Sequence, residues 1–145
     1  MKIKQTRDTL SQTYHDAVRI RQLVFVQGQG VPRSIEIDKD EAYCLHFVLY
    51  DDAGEAAATC RILPSEDLAQ AVLQRMAVLP AYRGQNLGQQ LLEHVLSFCQ
   101  QQRFRKLSLH AQLTAEGFYS KMGFNTVGSV FEEAGIRHIT MEMAL

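Results

Sequence analysis

Tryptophan is absent from the 145 residues, and cysteine and proline occur only three times each. Cys44, Cys60 and Cys99 are far apart and odd in number. No Cys-x-x-Cys or His-x-x-x-His pair accompanies them, so neither a zinc site nor a disulfide framework is encoded. Free thiols in a reducing cytoplasm are the expectation. Long apolar runs are also missing. No stretch is long enough to cross a bilayer, and Met1 to Thr6 lacks the apolar core of a signal peptide. A cytoplasmic location with no membrane partner follows as the expectation. Neither sign of charge is in excess: 15 Lys and Arg face 16 Asp and Glu, a net charge of -1. Nothing therefore pulls the chain towards nucleic acid. Repeats, linkers and low-complexity tracts are lacking, so residues 1–145 are expected to form one domain. A Gly-x-Ser-x-Gly elbow, a Lys-[Ser/Thr] phosphate loop and a Gly-x-Gly-x-x-Gly turn are absent too. Serine-hydrolase, NTPase and Rossmann chemistry lose their usual signatures.

What is present is periodic. Lys2 to Gln5 alternates as a short strand, and Asp8 is the expected cap of a helix carrying Leu10, Tyr14, Ala17, Val18 and Arg21 on one face. That helix should run to about Phe25 or Val26, where Gln27 to Pro32 breaks it. An acidic loop follows with Glu36, Asp38, Asp40 and Glu41. Leu45 to Tyr50 and Glu55 to Leu63 read as a hairpin around Asp51 to Gly54, and Val72 to Leu79 as a further strand. Leu87 to Gln102 is the main amphipathic helix, with Leu87, Leu91, Leu92, Val95, Phe98 and Cys99 inward. Leu107 to Gln112 is a strand and Ala115 to Met122 a short helix ended by Gly123. Phe124 to Phe131 and Ile136 to Met143 make a last hairpin. The predicted class is mixed α/β, with mostly antiparallel pairing and one crossover helix between two central strands.

The most informative segment is Arg83-Gly84-Gln85-Asn86-Leu87-Gly88. It joins a strand to the N-terminus of the main helix. Free N–H groups and the macrodipole favour an anion there, and Arg83 adds a full charge with a planar donor fork. Such a loop alone is also an ordinary turn.

Together with what precedes it, Val78-Leu79-Pro80-Ala81-Tyr82-Arg83-Gly84-Gln85-Asn86-Leu87-Gly88 resembles the acyl-coenzyme-A loop of the GCN5-related N-acetyltransferase (GNAT) superfamily. Arg83 and Gly88 match that loop, while Asn86 replaces its middle glycine. Asn tolerates the left-handed conformation better than other non-glycine residues. Ala115-Glu116-Gly117-Phe118-Tyr119-Ser120-Lys121-Met122-Gly123-Phe124 resembles the family's second segment. Arg21, Val24, Phe25, Glu36, Asp38 and His46, with the C-terminal Ala134-Gly135-Ile136-Arg137-His138-Ile139, resemble a subgroup of small bacterial acetyltransferases. Acyl-homoserine-lactone synthases share part of that pattern, but they are typically longer and carry tryptophans near their N-termini.

The resemblance implies a GNAT fold: a twisted sheet of roughly six to seven strands, flanked by about four helices and splayed between its two central strands. It implies acetyl-CoA as co-substrate, with pantetheine against Met76, Ala77 and Val78 and the pyrophosphate on Gly84, Gln85, Asn86, Leu87 and Gly88 beside Arg83. Gln112, Phe118 and Tyr119 complete that cofactor set, and no metal is implied. The activity implied is acetyl transfer to a primary amine of a small molecule or peptide, and a homodimer is common in the family. Tyr119 matches the tyrosine that stabilises the departing thiolate. A phenol of pKa about 10 is a weaker acid than a thiol of about 8.5, so full proton transfer is uphill by about 2 kcal/mol and a donated hydrogen bond is the safer description.

The general base is open. Gln74 stands where family members often carry Glu, which leaves Glu36, Asp38, His46, His110, His138 or a water chain. Tyr119, Glu36, His46 and His138 form the catalytic set on this reading. The acidic run from Glu36 to Glu41 is either a solvated loop or an attraction for a cationic amine. Gln74 also leaves room for a different class, a non-catalytic acyl-CoA sensor.

Overall fold

The computed structural model describes residues Met1–Leu145. Seven strands are β1 (Lys2–Thr6), β2 (Leu45–Tyr50), β3 (Ala56–Pro64), β4 (Gln70–Val78), β5 (Lys106–Gln112), β6 (Asn125–Glu133) and β7 (Ile136–Ala144). They form one sheet in the order β1-β2-β3-β4-β5-β7-β6. Every neighbouring pair is antiparallel except β4 and β5, which run parallel. Helix α3 (Leu87–Gln101) is the crossover that a parallel pair requires. The others are α1 (Gln12–Arg21), the single turn α2 (Arg33–Glu36) and α4 (Glu116–Lys121). No helix is long and apolar enough to cross a membrane.

Alternation along the central strands separates two apolar layers. On β2, Phe47 and Leu49 join Leu87, Leu91, Leu92, Val95 and Cys99 of α3 in the larger core, while Val48 and Tyr50 join Ala17, Ile20 and Val24 in the smaller. Leu91 and Leu92 are fully buried, and each contributes about 2 kcal/mol on that account. The three cysteines are free and buried, as expected.

The first helix differs from its sequence reading at both ends. Asp8 closes a local turn, accepting from the Leu10 N–H, and Ser11 is the cap instead, its hydroxyl accepting from Tyr14 N at 3.2 Å. A side chain two residues from an available amide satisfies it locally and leaves the helix start to the next oxygen. At the other end, Gln22–Gln27 continues as a π-helix. The wider turn carries Val24 and Phe25 into the wall of the cavity described below.

Candidate active site

Pairing between β4 and β5 covers only Gln70↔Lys106 through Leu73↔Leu109. Beyond Leu73 the strands part, and a cavity of about 570 Å³ opens between them. The expected splay is therefore present. Its local cause lies on the other side of β4, where the register with β3 shifts between Thr59 and Arg61. Arg75 absorbs the extra residue at φ 58, a left-handed conformation costing about 1 kcal/mol or more for a side-chain-bearing residue. Arg75 is held there by its own donors. Nε reaches the Glu36 carbonyl and Nη2 reaches the Ile35 carbonyl and Asp38 Oδ2, each at 3.2 Å.

One end of the cavity is built for an extended ligand with an anionic head. Met76, Ala77 and Val78 line it on the edge of β4 that β5 has left, so their outward backbone groups are free for strand-like pairing. The following loop turns through Gly84 at φ 80 and Asn86 at φ 60, so Asn86 keeps the glycine-like conformation. Tyr82 pins this loop to the β2–β3 hairpin by donating to Asp51 at 2.7 Å. Asn86 caps α3 without any side-chain hydrogen bond, and the N–H groups of Leu87, Gly88 and Gln89 find no acceptor in the protein. Those orphan donors, with the exposed guanidinium of Arg83, suit a pyrophosphate. Arg83 Nε meanwhile donates to the Val78 carbonyl at 3.1 Å, which ties the arginine to the strand end.

Arg83, Gly88, Phe118 and Tyr119 line the cavity. Gly84, Gln85 and Asn86 lie exposed outside it, and Leu87 sends its side chain into the core, leaving only its backbone towards a ligand. Gln112 lines the cavity too, but its amide is engaged. It exchanges two hydrogen bonds, at 2.9 and 3.4 Å, with Gln29, which reaches across from the segment after α1. Tyr119 is 7% exposed, yet its hydroxyl makes no hydrogen bond within the protein. Burial raises its pKa above the ordinary phenol value, which keeps the proton on oxygen.

The other end is polar and mixed in charge. Glu36, Asp38, Arg75, His110, Glu133 and His138 line it among Val24, Phe25, Val31, Ile35 and Ile136. The acidic run is not the solvated loop of the sequence reading. Glu36 Oε1 accepts from Arg21 Nε at 2.6 Å, and Glu41 accepts from Arg21 Nη1 and Nη2 at 2.8 and 2.9 Å. Arg61 binds Glu41 and both oxygens of Asp38. Three carboxylates thus meet three arginines, and most of the acidic charge is neutralised in place. Glu36 keeps one buried oxygen, Oε2, without a partner.

Two expectations need correction. His46 does not reach the cavity. It lies on β2, two strands from the splay, 1% exposed, with Nε2 at 2.9 Å from the Glu41 carbonyl and its ring edge-on to Tyr14. Burial lowers its pKa, so it is a neutral structural imidazole. Glu36 does line the cavity, but its engagement with Arg21 leaves one oxygen free rather than an open carboxylate. Gln74 also lines the cavity, and its carbonyl oxygen accepts from Arg61 Nε at 3.0 Å. Sequence reasoning passed over Arg75, Gln29 and Glu133. Glu133 falls outside the two predicted strands of the last hairpin but ends β6, and nothing in the local pattern marks Arg75 as the bulge residue.

A family model described as "Acetyltransferase (GNAT) domain" matches residues 25–145. The chain belongs to the GNAT acetyltransferase family. Among GNAT relatives, the protein ElaA of Escherichia coli is 37% identical over 136 residues, 92% of this chain and 88% of ElaA. The crystal structure of E. coli ElaA superposes with a TM-score of 0.86, covering 98% of this chain and 99% of the other. An acyl-CoA N-acyltransferase from Pseudomonas aeruginosa gives a TM-score of 0.85 at 27% identity, over 98% and 99% of the two chains. An aminoglycoside 6'-N-acetyltransferase solved with coenzyme A shares the GNAT fold at 14% identity, with a TM-score of 0.74 over 99% and 97%.

Proposed function

We propose that this protein transfers acetyl from acetyl-CoA to a primary amine of a small molecule or peptide by direct attack. The observation that carries the reading is the unpartnered hydroxyl of the otherwise buried Tyr119, in the wall of a cavity that continues to an uncapped helix start. Membership of the acetyltransferase family and the name of the P. aeruginosa neighbour support the donor. Acetyl-CoA supplies the activated thioester carbonyl. Met76 to Val78 offer backbone groups to pantetheine, and Arg83 with the N–H groups from Gln85 to Gly88 holds the pyrophosphate. Phe118 and Gln112 flank the thioester arm, so Gln112 exchanges its bond to Gln29 for one to the ligand. Tyr119 donates a hydrogen bond to sulfur as negative charge develops there.

On the acceptor side, the unpartnered oxygen of Glu36 is left to favour a cationic amine, since Arg61 and Arg75 hold Asp38. His138 takes the proton that the amine must lose before it can attack. Its Nδ1 lies 2.7 Å from the Ile136 carbonyl oxygen, so Nδ1 carries the hydrogen and Nε2 is the basic atom. Three buried free thiols suit a reducing compartment, the cytoplasm.

The test is release of coenzyme A thiol with a panel of amines and peptides. Turnover by the wild type, lowered about a hundredfold in Tyr119→Phe, is expected from loss of one donor to the developing charge. Tight acetyl-CoA binding with no turnover of any acceptor would instead favour the sensor reading that Gln74 raised.

A further inference from the structure

His110, Glu133 and His138 come from three neighbouring strands, β5, β6 and β7, and all line the acceptor end of the cavity. One carboxylate stands between two imidazoles. Glu133 Oε1 is 3.0 Å from His110 Nδ1, and Oε2 is 3.8 Å from His138 Nε2. Phe131 stacks on the His138 ring at 5.9 Å and meets the His110 ring edge-on at 5.0 Å, which restricts both. Exposure rises along the series: the side chain of His138 is 9% accessible, those of Glu133 and His110 46% and 47%.

The two contacts differ in kind. At 3.0 Å the His110 pair is hydrogen-bonded, whereas 3.8 Å is too long for one. With Nδ1 committed to the Ile136 carbonyl, the Nε2 lone pair of His138 is unblocked, yet a negative charge waits beside it. That arrangement suits a base that becomes cationic only when it accepts a proton.

We infer that Glu133 is a positioning residue for His138 and leads its proton out to solvent, with His110 holding the Glu133 carboxylate by a donated hydrogen bond; this rests on His138 being the base. The amine nitrogen forms the new C–N bond as the C–S bond breaks. The electron pair leaves on sulfur, hydrogen-bonded by Tyr119, and the amine proton goes to His138 Nε2. The imidazolium closes onto Glu133 Oε2. Its proton passes to Glu133 and from that half-exposed carboxyl to water, while His110 Nδ1–H keeps donating to Oε1. The other charged or titratable groups facing this cavity are Glu36 and Asp38 from the α2 segment, Arg75 from β4, Arg83 from the loop before α3 and Tyr119 from α4.

Two measurements on the whole protein decide it. Acetyl-CoA turnover with butylamine as the probe acceptor is measured in the wild type, Glu133→Gln, Glu133→Asp and His110→Asn, with kcat separated from KM. The solvent deuterium isotope effect on kcat is measured in the same proteins. Glu133→Gln lowers kcat about tenfold with KM for butylamine within about twofold, and its isotope effect rises because proton loss becomes slower. Glu133→Asp restores part of the rate, and His110→Asn lowers kcat less than Glu133→Gln. The acetyl-CoA thermal shift stays unchanged in all three. A kcat in Glu133→Gln within about twofold of the wild type overturns the inference. A lowered kcat with an unchanged isotope effect also overturns it, because Glu133 then only shapes the pocket. A wild type that turns over no amine removes the catalytic reading itself, whereas an active wild type matched by Glu133→Gln removes only the role of Glu133.

Discussion

Glu41→Gln is the most demanding perturbation of this molecule that leaves shape almost intact. The Glu41 carboxylate receives Arg21 at 2.8 and 2.9 Å, the Tyr14 hydroxyl at 2.9 Å and Arg61. Burial opposes its ionisation, but the Arg21 hydrogen bonds, reinforced by the charge of Arg61, outweigh that and lower its pKa from 4.5 to about 2. A group held below its unfolded pKa stabilises the fold fully above that unfolded value and loses the contribution as pH falls towards the folded one. A shift of about 2.5 units corresponds to about 3.4 kcal/mol at pH 7, an upper figure because water reaching the site relieves part of it. At pH 3.5 the same two values leave about 2.0 kcal/mol. Glutamine keeps one carbonyl acceptor but no charge, so Arg21 and Arg61 share Glu36 and Asp38 alone. A loss of about 2–4 kcal/mol is expected, a fall in Tm of roughly 6–12 °C for a chain of this length. Thermal unfolding followed by circular dichroism at pH 7 and pH 3.5 measures it. A deficit under 1 kcal/mol at pH 7, or one that does not shrink on acidification, would refute the account of Glu41 as the centre of the network.

Other outcomes follow from the same geometry. Arg83→Ala should weaken acetyl-CoA binding about tenfold by calorimetry, equivalent to about 1.4 kcal/mol, with little change in Tm because the side chain is exposed. An unchanged affinity would displace the pyrophosphate from the α3 start. Tyr119→Phe should unfold within about 2 °C of the wild type, since its hydroxyl bonds nothing inside the protein and one or two degrees is well under 1 kcal/mol. His46→Gln should lose stability yet keep kcat/KM within about twofold, the reverse of what a base would show. The imidazole that burial keeps neutral costs the wild type stability as pH falls below about 6.5, and the variant should lack that acid sensitivity. Leu91→Ala, at a fully buried position on α3, should cost about 3–4 kcal/mol in denaturant unfolding.

Strands and helices were legible wherever burial writes a period into the chain. Leu87, Leu91, Leu92, Val95 and Cys99 mark α3 because one stripe of it meets the sheet, and Lys106–Gln112 alternates because only one of its faces is fully covered. The candidate cofactor loop was legible because it is local: Arg83, Gly84, Asn86 and Gly88 lie within six positions of one another. The acceptor end was not, and its particulars show why. Glu36, Asp38 and Glu41 look like surface acids until Arg21, Arg61 and Arg75 arrive from α1, β3 and β4. Their pairing depends on contacts 15 to 39 positions apart. His46 and His138 are both histidines in apolar strands. Only the strand order puts one two strands from the splay and the other beside it.

By itself, then, the amino-acid order determined the class of fold, the helix that carries the anion loop and the tyrosine that follows it, because each is written in short-range spacing. Tertiary structure decided where β4 leaves β5, which acids are spent on arginines, and which histidine keeps an unblocked nitrogen beside Glu133. Those outcomes depend on a bulge at Arg75 and on the register of β5, β6 and β7. Register and burial are properties of the whole sheet, fixed when distant segments compete for the same partners.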